Sequence, residues 1–504
     1  WETFPEFLDA IEKKDFVMDL GFMIGHGPLR SYVMGYERCQ SQVDASEEEI
    51  SKMSDLVTEA IESGALGFST SRTILHRDVH GVYVPGTEAS SEEMKSLAFA
   101  IDRAGEGTLE IVSDWLDKEI EMSWMKEYVE KSDCGLTVLQ TSGDAVKTIL
   151  FCEEQFLKGK NVRPQFPGRN VGMMFGLESS LHPFIGHPSY REIAELPLAE
   201  RVKIMSDPAF KEKLLKEKPN FASEIEKSMN EQGNAKSKEE IQEAASLGQK
   251  LISNYETQFI LGDPPNYEPG KEDSIAALAE TKGVSELEVI YDEFLKNEGT
   301  NLVYACFTPY DNHKLDFVER AYSLKSSVAG GSDGGAHCGL ICDASMPTTN
   351  LSHWARDREA GKKIPIELIV RKQTKDTAET YGLFDRGEIK TGMIADLNII
   401  DFENLNVTHP KMVYDLPMGG RRLIQNSFGY LATVKSGEVV YESGEATGVL
   451  PGKLIRGKQT CEVKAEKEKI PFVDRTLRLM SVKAFKLLWN LRKKPAKTTV
   501  VSGD

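Results

Sequence analysis

Apolar positions in the chain follow a helical period and a strand period in turn. Ser46 and Glu49 form a capping-box pattern, and the apolar spacing after them is helical from Ile50 to Ile61. Gly64 ends this pattern, and a short apolar run follows. The first half of the chain therefore predicts an amphipathic helix followed by a strand.

The same cycle recurs along the chain. Ser90 and Glu93 predict the start of another helix, and Gly105 its end. Alternation of this kind predicts an α/β protein with a parallel sheet covered by helices. The predicted strands are ALGFS at 65–69, TLEIVSDW from 108, VMDLGFMI at 17–24, GLTVLQT at 135–141, NLVYACF at 301–307 and KSSVAGG at 325–331.

Polar residues at the strand ends favour a closed barrel over a doubly wound sheet. No GxGxxG sequence opens a helix, as a dinucleotide-binding sheet would require. In a barrel, the carboxyl ends of the strands converge on one mouth, so groups that are distant in sequence meet there. The strand-end residues are His26, Ser69, Asp114, Gln140 and Asp333.

Changes in composition predict three regions. We expect a barrel over 1–387, with a helical, charge-rich insertion at 187–300 as a candidate lid. Alternating strands and turns predict a small β-domain at 388–457, and 458–504 form a basic tail. The tail segment 472–494 fits either a membrane-surface helix or, as we favour, a terminal helix packed on its own barrel or on a second subunit.

Composition and charge restrict the partners. The 504 residues are 40% hydrophobic and 28% charged, with a net charge of -18. This charge repels nucleic acid and anionic lipid, so we expect a small-molecule substrate and no nucleic-acid partner. No apolar run reaches the roughly 18–20 residues of a membrane span. A homo-oligomer stays open.

The cysteines and the first residue bear on the compartment. Seven cysteines without a CxxC pair argue against a disulfide scaffold and favour a reducing, cytoplasmic location. The chain begins with Trp1 and enters a helical pattern at once. We therefore expect the natural N-terminus to lie upstream, which leaves open a removed signal peptide.

Asp333 is the strongest candidate for chemistry. It stands among five glycines in GGSDGGAHCG, residues 330–339, directly after a predicted strand. Glycines let the backbone approach a ligand, and a carboxylate at a strand end can bind a metal or move protons. The alternative is an aspartate that closes a turn or caps a helix. His337 is either a second functional group or a hydrogen-bonded structural residue.

A long polar loop follows the strand at 65–69. Arg72, His76 and Tyr83 lie in it, a composition suited to binding a substrate carboxylate. A solvated polar loop explains the same composition equally well. His26 and Arg30, in IGHGPLR, follow another predicted strand and form a weaker pattern.

Several motifs, in order, resemble the N-acyl-D-amino-acid deacylases of the amidohydrolase superfamily. They are IGHGPLR, GALGFSTSR, VPGTEAS, GGSDGGAH, RKQTKDTAETYGL and GEIKTGMIADLNIIDFENL. The resemblance implies a TIM-like barrel with a small β-sandwich, and a hydrolase of a non-peptide carbon–nitrogen bond. It also implies a divalent metal, zinc first, at the barrel mouth, with Asp333 as metal-site residue and acid/base.

The chain departs from the family pattern at the expected metal ligands. The first-strand histidines and a cysteine ligand are expected upstream of Trp1. Where the fifth and sixth strands should carry histidines, the chain offers Asp114, a second candidate metal ligand, and Gln140. TSGD replaces the lysine that would pair with a substrate carboxylate. These departures leave open a harder, oxygen-rich site made by Asp114 and upstream groups, a weakly held ion, or a different activity. They also keep open a non-catalytic or metal-free barrel that binds a small molecule.

Overall fold

The structure is a computed structural model of the chain. It describes residues 1–77, 82–115, 117–140, 146–222, 238–333, 339–460 and 472–492. His337, one of the predicted site residues, lies outside these ranges.

A six-stranded parallel sheet carries the first half of the chain and the strand before Asp333. Its strand order is β1-β2-β3-β4-β5-β9, so β1 and β9 lie at its edges. All five neighbouring pairs are parallel. The strands are β1 Ile24–Gly25, β2 Gly67–Arg72, β3 Thr108–Ser113, β4 Gly135–Leu139, β5 Val162–Pro167, β6 Val171–Phe175, β7 Gln258–Ile260, β8 Val303–Thr308, β9 Val328–Gly330, β10 Leu397–Ile400, β11 Asn406–Val407, β12 Lys411–Leu416, β13 Gly420–Ile424, β14 Ser427–Phe428, β15 Tyr430–Lys435, β16 Glu438–Glu442 and β17 Glu445–Ala446.

Helices connect and cover the sheet. The α-helices are α1 Phe4–Glu12, α2 His26–Met34, α3 Tyr36–Gln40, α4 Glu47–Glu62, α5 Ser91–Ala104, α6 Lys118–Lys131, α7 Val146–Leu157, α8 Pro188–Arg191, α9 Leu198–Met205, α10 Pro208–Lys216, α11 Lys238–Ile252, α12 Ile275–Lys282, α13 Glu286–Phe294, α14 Asp316–Ser323, α15 Met346–Thr349, α16 Ile366–Gln373, α17 Lys375–Thr380 and α18 Phe472–Arg492. A π-helix spans Asn350–Asp357. Short 3-10 helices span Tyr255–Thr257, Lys271–Asp273, Asn297–Gly299, Asp311–His313 and Pro417–Gly419.

The capping signals place two of these helices correctly. At the start of α4, the Ser46 side chain accepts a hydrogen bond from the Glu49 backbone N–H, and the Glu49 carboxylate accepts one from the Ser46 backbone N–H. Ser90 caps α5 in the same way, although only its own half of the box forms. The parallel sheet and these helices confirm the predicted α/β class.

One predicted strand of the parallel sheet belongs to a different sheet. The run NLVYACF contains β8, which pairs antiparallel with β6 and β7. An apolar run of this length fits the centre of either kind of sheet, so its pattern alone did not reveal the partner strands. The run VMDLGFMI is also mostly irregular, because only its last residue, Ile24, belongs to β1.

The segment after β6 is mainly helical and shares an apolar core with β6 and β8. Phe184, Tyr291 and Phe294 are buried there. Phe175 of β6 and Val303 of β8 belong to the same core. The predicted insertion at 187–300 therefore packs on the antiparallel sheet of β6, β8 and β7, and it contributes β7 to that sheet.

Short antiparallel strands make up the region from β10 to β17. One sheet has the order β10-β15-β16-β17, and two further strand pairs are β11 with β14 and β12 with β13. Helix α18 of the predicted basic tail packs on α7, where Lys486 pairs with Glu154. None of the helices in the described ranges is both long enough and apolar enough to cross a membrane.

Candidate active site

The carboxyl ends of β3 and β9 each place a predicted acid within electrostatic range of a predicted histidine in the loop after β2. Asp114 follows β3, Asp333 follows β9, and His76 lies in the loop after β2. Both carboxylates favour the protonated form of the His76 ring. Loss of water around the ring outweighs them and lowers the pKa of His76. The sheet thus gathers two acids and one histidine that are distant in sequence.

Asp333 lies on a tight turn after β9. Its backbone N–H donates to the Gly331 carbonyl oxygen at 2.8 Å, and its side chain is exposed. Gly331 has a φ of +79°, in the left-handed region that favours glycine. A Cβ there would lie 3.1 Å from the Pro167 Cβ at the end of β5. The glycine lets the chain turn against β5 and present the Asp333 carboxylate.

One carboxylate oxygen of Asp114 forms a hydrogen bond with the loop after β2. Its Oδ2 accepts a hydrogen bond from the Ile74 backbone N–H at 2.7 Å, and the side chain is otherwise exposed. On the same loop, His76 Nδ1 lies 2.7 Å from Ser71 Oγ. These bonds fix the loop after β2 against the end of β3.

Arg72 and Tyr83, the other predicted substrate-binding residues, make contacts within the protein. Arg72 Nε donates to Glu121 on α6 at 2.7 Å, and its Nη1 donates to the Ala89 carbonyl oxygen at 2.9 Å. The Arg77 guanidinium lies 4.4 Å from the centre of the Tyr83 ring. Their roles in substrate binding, like that of His337, stay predictions.

His26 forms a buried structural cluster beside β2. Its Nε2 lies 2.7 Å from Glu93 Oε1, and its Nδ1 lies 2.8 Å from Thr70 Oγ1. Arg30 Nε lies 3.3 Å from the same Glu93 oxygen. Burial lowers the pKa of His26, although the Glu93 hydrogen bond and charge oppose this. With an exposed fraction of 2%, His26 does not join the exposed group around Asp333.

Arg169 and Asp343 are neighbours of the site that the sequence analysis missed. The Asp343 backbone N–H donates to the Asp333 carbonyl oxygen at 3.2 Å. Arg169 Nη2 donates to Asp343 Oδ1 at 3.0 Å, and both side chains are buried. Burial raises the pKa of Asp343 to about 6, while Arg169 opposes the rise and the Asp333 charge adds to it. Their only sequence signal is position, after β5 and ten residues after Asp333.

The described residues do not fit a metal centre by themselves. Within the described ranges, no group of three or more His, Cys, Asp and Glu side chains is placed to hold a metal ion. Gln140, at the strand end where the resemblance expects a histidine, is buried. Its Oε1 has no hydrogen-bond partner in the described part of the chain. A metal bound by Asp333 and Asp114 would therefore need further ligands.

Part of the chain matches a known family model. Residues 261–441 match the model of the amidohydrolase family. A D-aminoacylase of Alcaligenes xylosoxydans xylosoxydans is 24% identical over 404 residues, which cover 80% of this chain and 64% of that protein. An uncharacterized protein of Mycobacterium tuberculosis is 24% identical over 477 residues, covering 89% of this chain and 72% of its own.

Solved structures share the fold. A D-aminoacylase with a binuclear metal centre superposes with a TM-score of 0.51 at 18% identity, over 90% of this chain and 75% of its own. The N-acyl-D-glutamate deacylase of Bordetella bronchiseptica, complexed with zinc and a phosphonate inhibitor, gives a TM-score of 0.50 at 17% identity, with the same coverage. The family resemblance found in the motifs is confirmed. The expected enzyme class, a hydrolase of carbon–nitrogen bonds, is supported by the same matches.

Proposed function

Because the chain carries an amidohydrolase-family domain, we propose that it hydrolyses a non-peptide carbon–nitrogen bond of a small molecule, in the manner of an N-acyl-D-amino-acid deacylase. The gathering of Asp333, Asp114 and His76 at the strand ends carries this proposal. The fold we propose is a TIM-like (β/α)8 barrel over 1–387, with the insertion at 187–300 as its lid and a small β-domain at 388–457.

A divalent metal, zinc first, is part of the proposal. The deacylase of known structure was solved with zinc, and the D-aminoacylase has a binuclear centre. Asp333 and Asp114 are the ligands we propose from this chain, and the remaining ligands would come from outside the described residues. Oxygen ligands alone would favour a harder ion, so the identity of the metal tests the ligand set.

Asp333 is the proposed acid/base. Its carboxylate is exposed at the strand end, where water and substrate reach it. In the hydrolysis, a water molecule adds to the amide carbon and gives one proton to Asp333. The carbon–nitrogen bond then breaks, and Asp333 returns that proton to the leaving amine. The products are a carboxylate and an amine, and the enzyme regains its starting protonation.

Asp333→Asn tests this role. General acid–base residues contribute about 10²–10⁴-fold to turnover, so we expect a kcat loss of that size on N-acetyl-D-amino acids. The circular dichroism spectrum and unfolding midpoint should match the wild type, because the replaced side chain is exposed. Asp55→Asn is the control, since Asp55 is a surface acid 75% exposed in its pair with Arg103. Wild-type kcat in Asp333→Asn would contradict the proposal.

A second candidate function is a small-molecule binding protein without catalysis. It is favoured by Gln140 at a strand end where a histidine is expected, and by the small number of candidate ligands in the described ranges. A preparation that binds N-acetyl-D-amino acids but releases no amine, with or without added divalent metal, would favour this alternative.

A further inference from the structure

Helix α18 packs on the rest of the protein through one of its faces. Val482 of this helix is buried, with an exposed fraction of 8%, and Lys486, four residues later, pairs with Glu154 of α7. Residues four apart lie on the same face of a helix, so this is the face that contacts α7. The contact fixes which side of α18 points away from the protein.

The opposite face of α18 exposes an apolar stripe, which consists of Leu477, Met480 and Ala484. Leu477 is 58% exposed and Met480 62%, and Ala484 is exposed as well. Spacings of three and four residues keep the stripe on one side of the helix, roughly 150° around the axis from the face on α7. The sequence continues the same spacing with Val473 and Leu487. A helix that serves only to cover α7 would carry polar residues at these positions.

Basic side chains accompany the apolar stripe. The helix contains five Lys and Arg residues and one acid, Asp474, which gives it a net charge of +4 in a chain of net charge -18. Arg478 follows Leu477, and Lys483 precedes Ala484, so the two basic residues lie on opposite flanks of the stripe. Lys483 is exposed and forms no ion pair with the residues that the structure describes. Arg478 pairs with Asp474, but the two side chains are 36% and 41% exposed, and surface pairs of this kind are weak enough to be exchanged for another anion.

The charge of α18 decides what covers the stripe. A second copy of the chain would bring two helices of charge +4 together, and their repulsion opposes such a dimer. An anionic membrane surface attracts the same helix and accepts its apolar stripe. The acidic remainder of the protein has little influence on this contact, because charges are screened beyond about 8 Å at physiological ionic strength.

We propose that α18 binds the protein to the surface of an anionic membrane. Leu477, Met480 and Ala484 enter the boundary between headgroups and acyl chains, and the long side chains of Arg478 and Lys483 reach the lipid phosphates. Because α7 holds the helix through its other face, membrane binding leaves the contact with α7 intact. The inference goes beyond the proposed hydrolysis and does not depend on it.

Co-sedimentation of the full chain with lipid vesicles tests the proposal. We expect binding to vesicles of equal parts phosphatidylcholine and phosphatidylserine, and binding weaker by about tenfold or more to phosphatidylcholine alone. Leu477→Glu should weaken binding to the anionic vesicles by about tenfold or more, because it places a charge in the apolar boundary. Val370→Glu is the matched control, since Val370 is an apolar residue of α16 that is 44% exposed, and it should bind like the wild type.

The electrostatic part of the proposal has its own pair of variants. Lys483→Gln should weaken binding to the anionic vesicles by about fivefold, whereas Lys126→Gln, at an exposed position of α6, should leave it unchanged. All four variants should keep the wild-type unfolding midpoint, because the replaced side chains are exposed. A wild type that binds neither kind of vesicle, or both equally, would overturn the proposal. A dimer in lipid-free sedimentation that Leu477→Glu dissociates would also overturn it, because a second copy would then cover the stripe.

Discussion

Two aspartates of one loop differ in environment and therefore in role. Asp333 is exposed at the end of β9, whereas Asp343 is buried and paired with Arg169. The Arg169 guanidinium also donates to the Cys342 carbonyl oxygen at 2.7 Å and stacks 3.6 Å from the centre of the Tyr267 ring. Arg169 thus holds in place Cys342 and Asp343, at the far end of the loop that begins with Asp333.

The Arg169→Met variant should be strongly destabilised. It leaves Asp343 buried without its partner, and breaking a buried pair costs about 3–5 kcal/mol. Urea unfolding measures this cost. Arg422→Met is the control because its pair with Asp415 is 36% and 48% exposed; such surface pairs contribute up to about 1 kcal/mol. Equal losses in the two variants would contradict the structural role of Arg169.

The residues that the sequence could reveal are those with a local signal. Asp333 stands out through its glycines, and Asp114 through its place after an apolar strand. The spacing from Ser90 predicts that Glu93 completes a capping box, but its side chain instead lies 2.7 Å from His26, 67 positions away. No local sequence pattern predicts the role of Asp343. Its partner Arg169 is 174 positions away, and tertiary pairs of this kind leave no periodic pattern.

At the scale of elements, the helices were easier to predict than the strands. Capping signals and a 3.6-residue period locate α4 and α5 within a residue or two. The strand periods found β2, β3 and β4, but they did not separate the parallel sheet from the antiparallel sheet that contains β8. Sheet membership depends on which strands come together, and an apolar run does not encode this.

A buried ion-pair network joins the loop after β7 to the π-helix Asn350–Asp357. Glu268 Oε2 lies 2.7 Å from His353 Nε2 and 3.0 Å from Arg358 Nε. Arg358 also pairs with Glu319 of α14 at 2.6 Å. Burial alone would raise the pKa of Glu268, but the hydrogen bonds from His353 and Arg358 outweigh it and lower the pKa to about 2.

This network should make stability depend on pH in acid. The Glu268 pKa is lowered on folding, so the stabilisation is present above the unfolded-state value and is lost as pH falls from about 4.5 toward 2. The lowering corresponds to roughly 3 kcal/mol. Unfolding free energies of wild type and Glu268→Gln should differ most near pH 6 and converge near pH 2. A constant difference over this range would contradict the assigned pairing.

At the scale of the whole molecule, the helical segment at 187–300 is part of the folded body. Its core is shared with β6 and β8. The role of the segment 187–300 as a lid stays a prediction. Substitutions of surface residues on α9 test it better than deletion of the segment, because deletion would expose the shared core.

Metal content and turnover, measured together on the natural protein, test the central claim most directly. Elemental mass spectrometry after dialysis should find near-stoichiometric divalent metal in the wild type and less in Asp333→Ala. Amine release from N-acetyl-D-amino acids should follow the metal content. Asp55→Asn serves again as the control and should keep both. Absence of metal from every preparation, with no amine released after metal is added, would contradict the account of a metal-dependent amide hydrolase centred on Asp333.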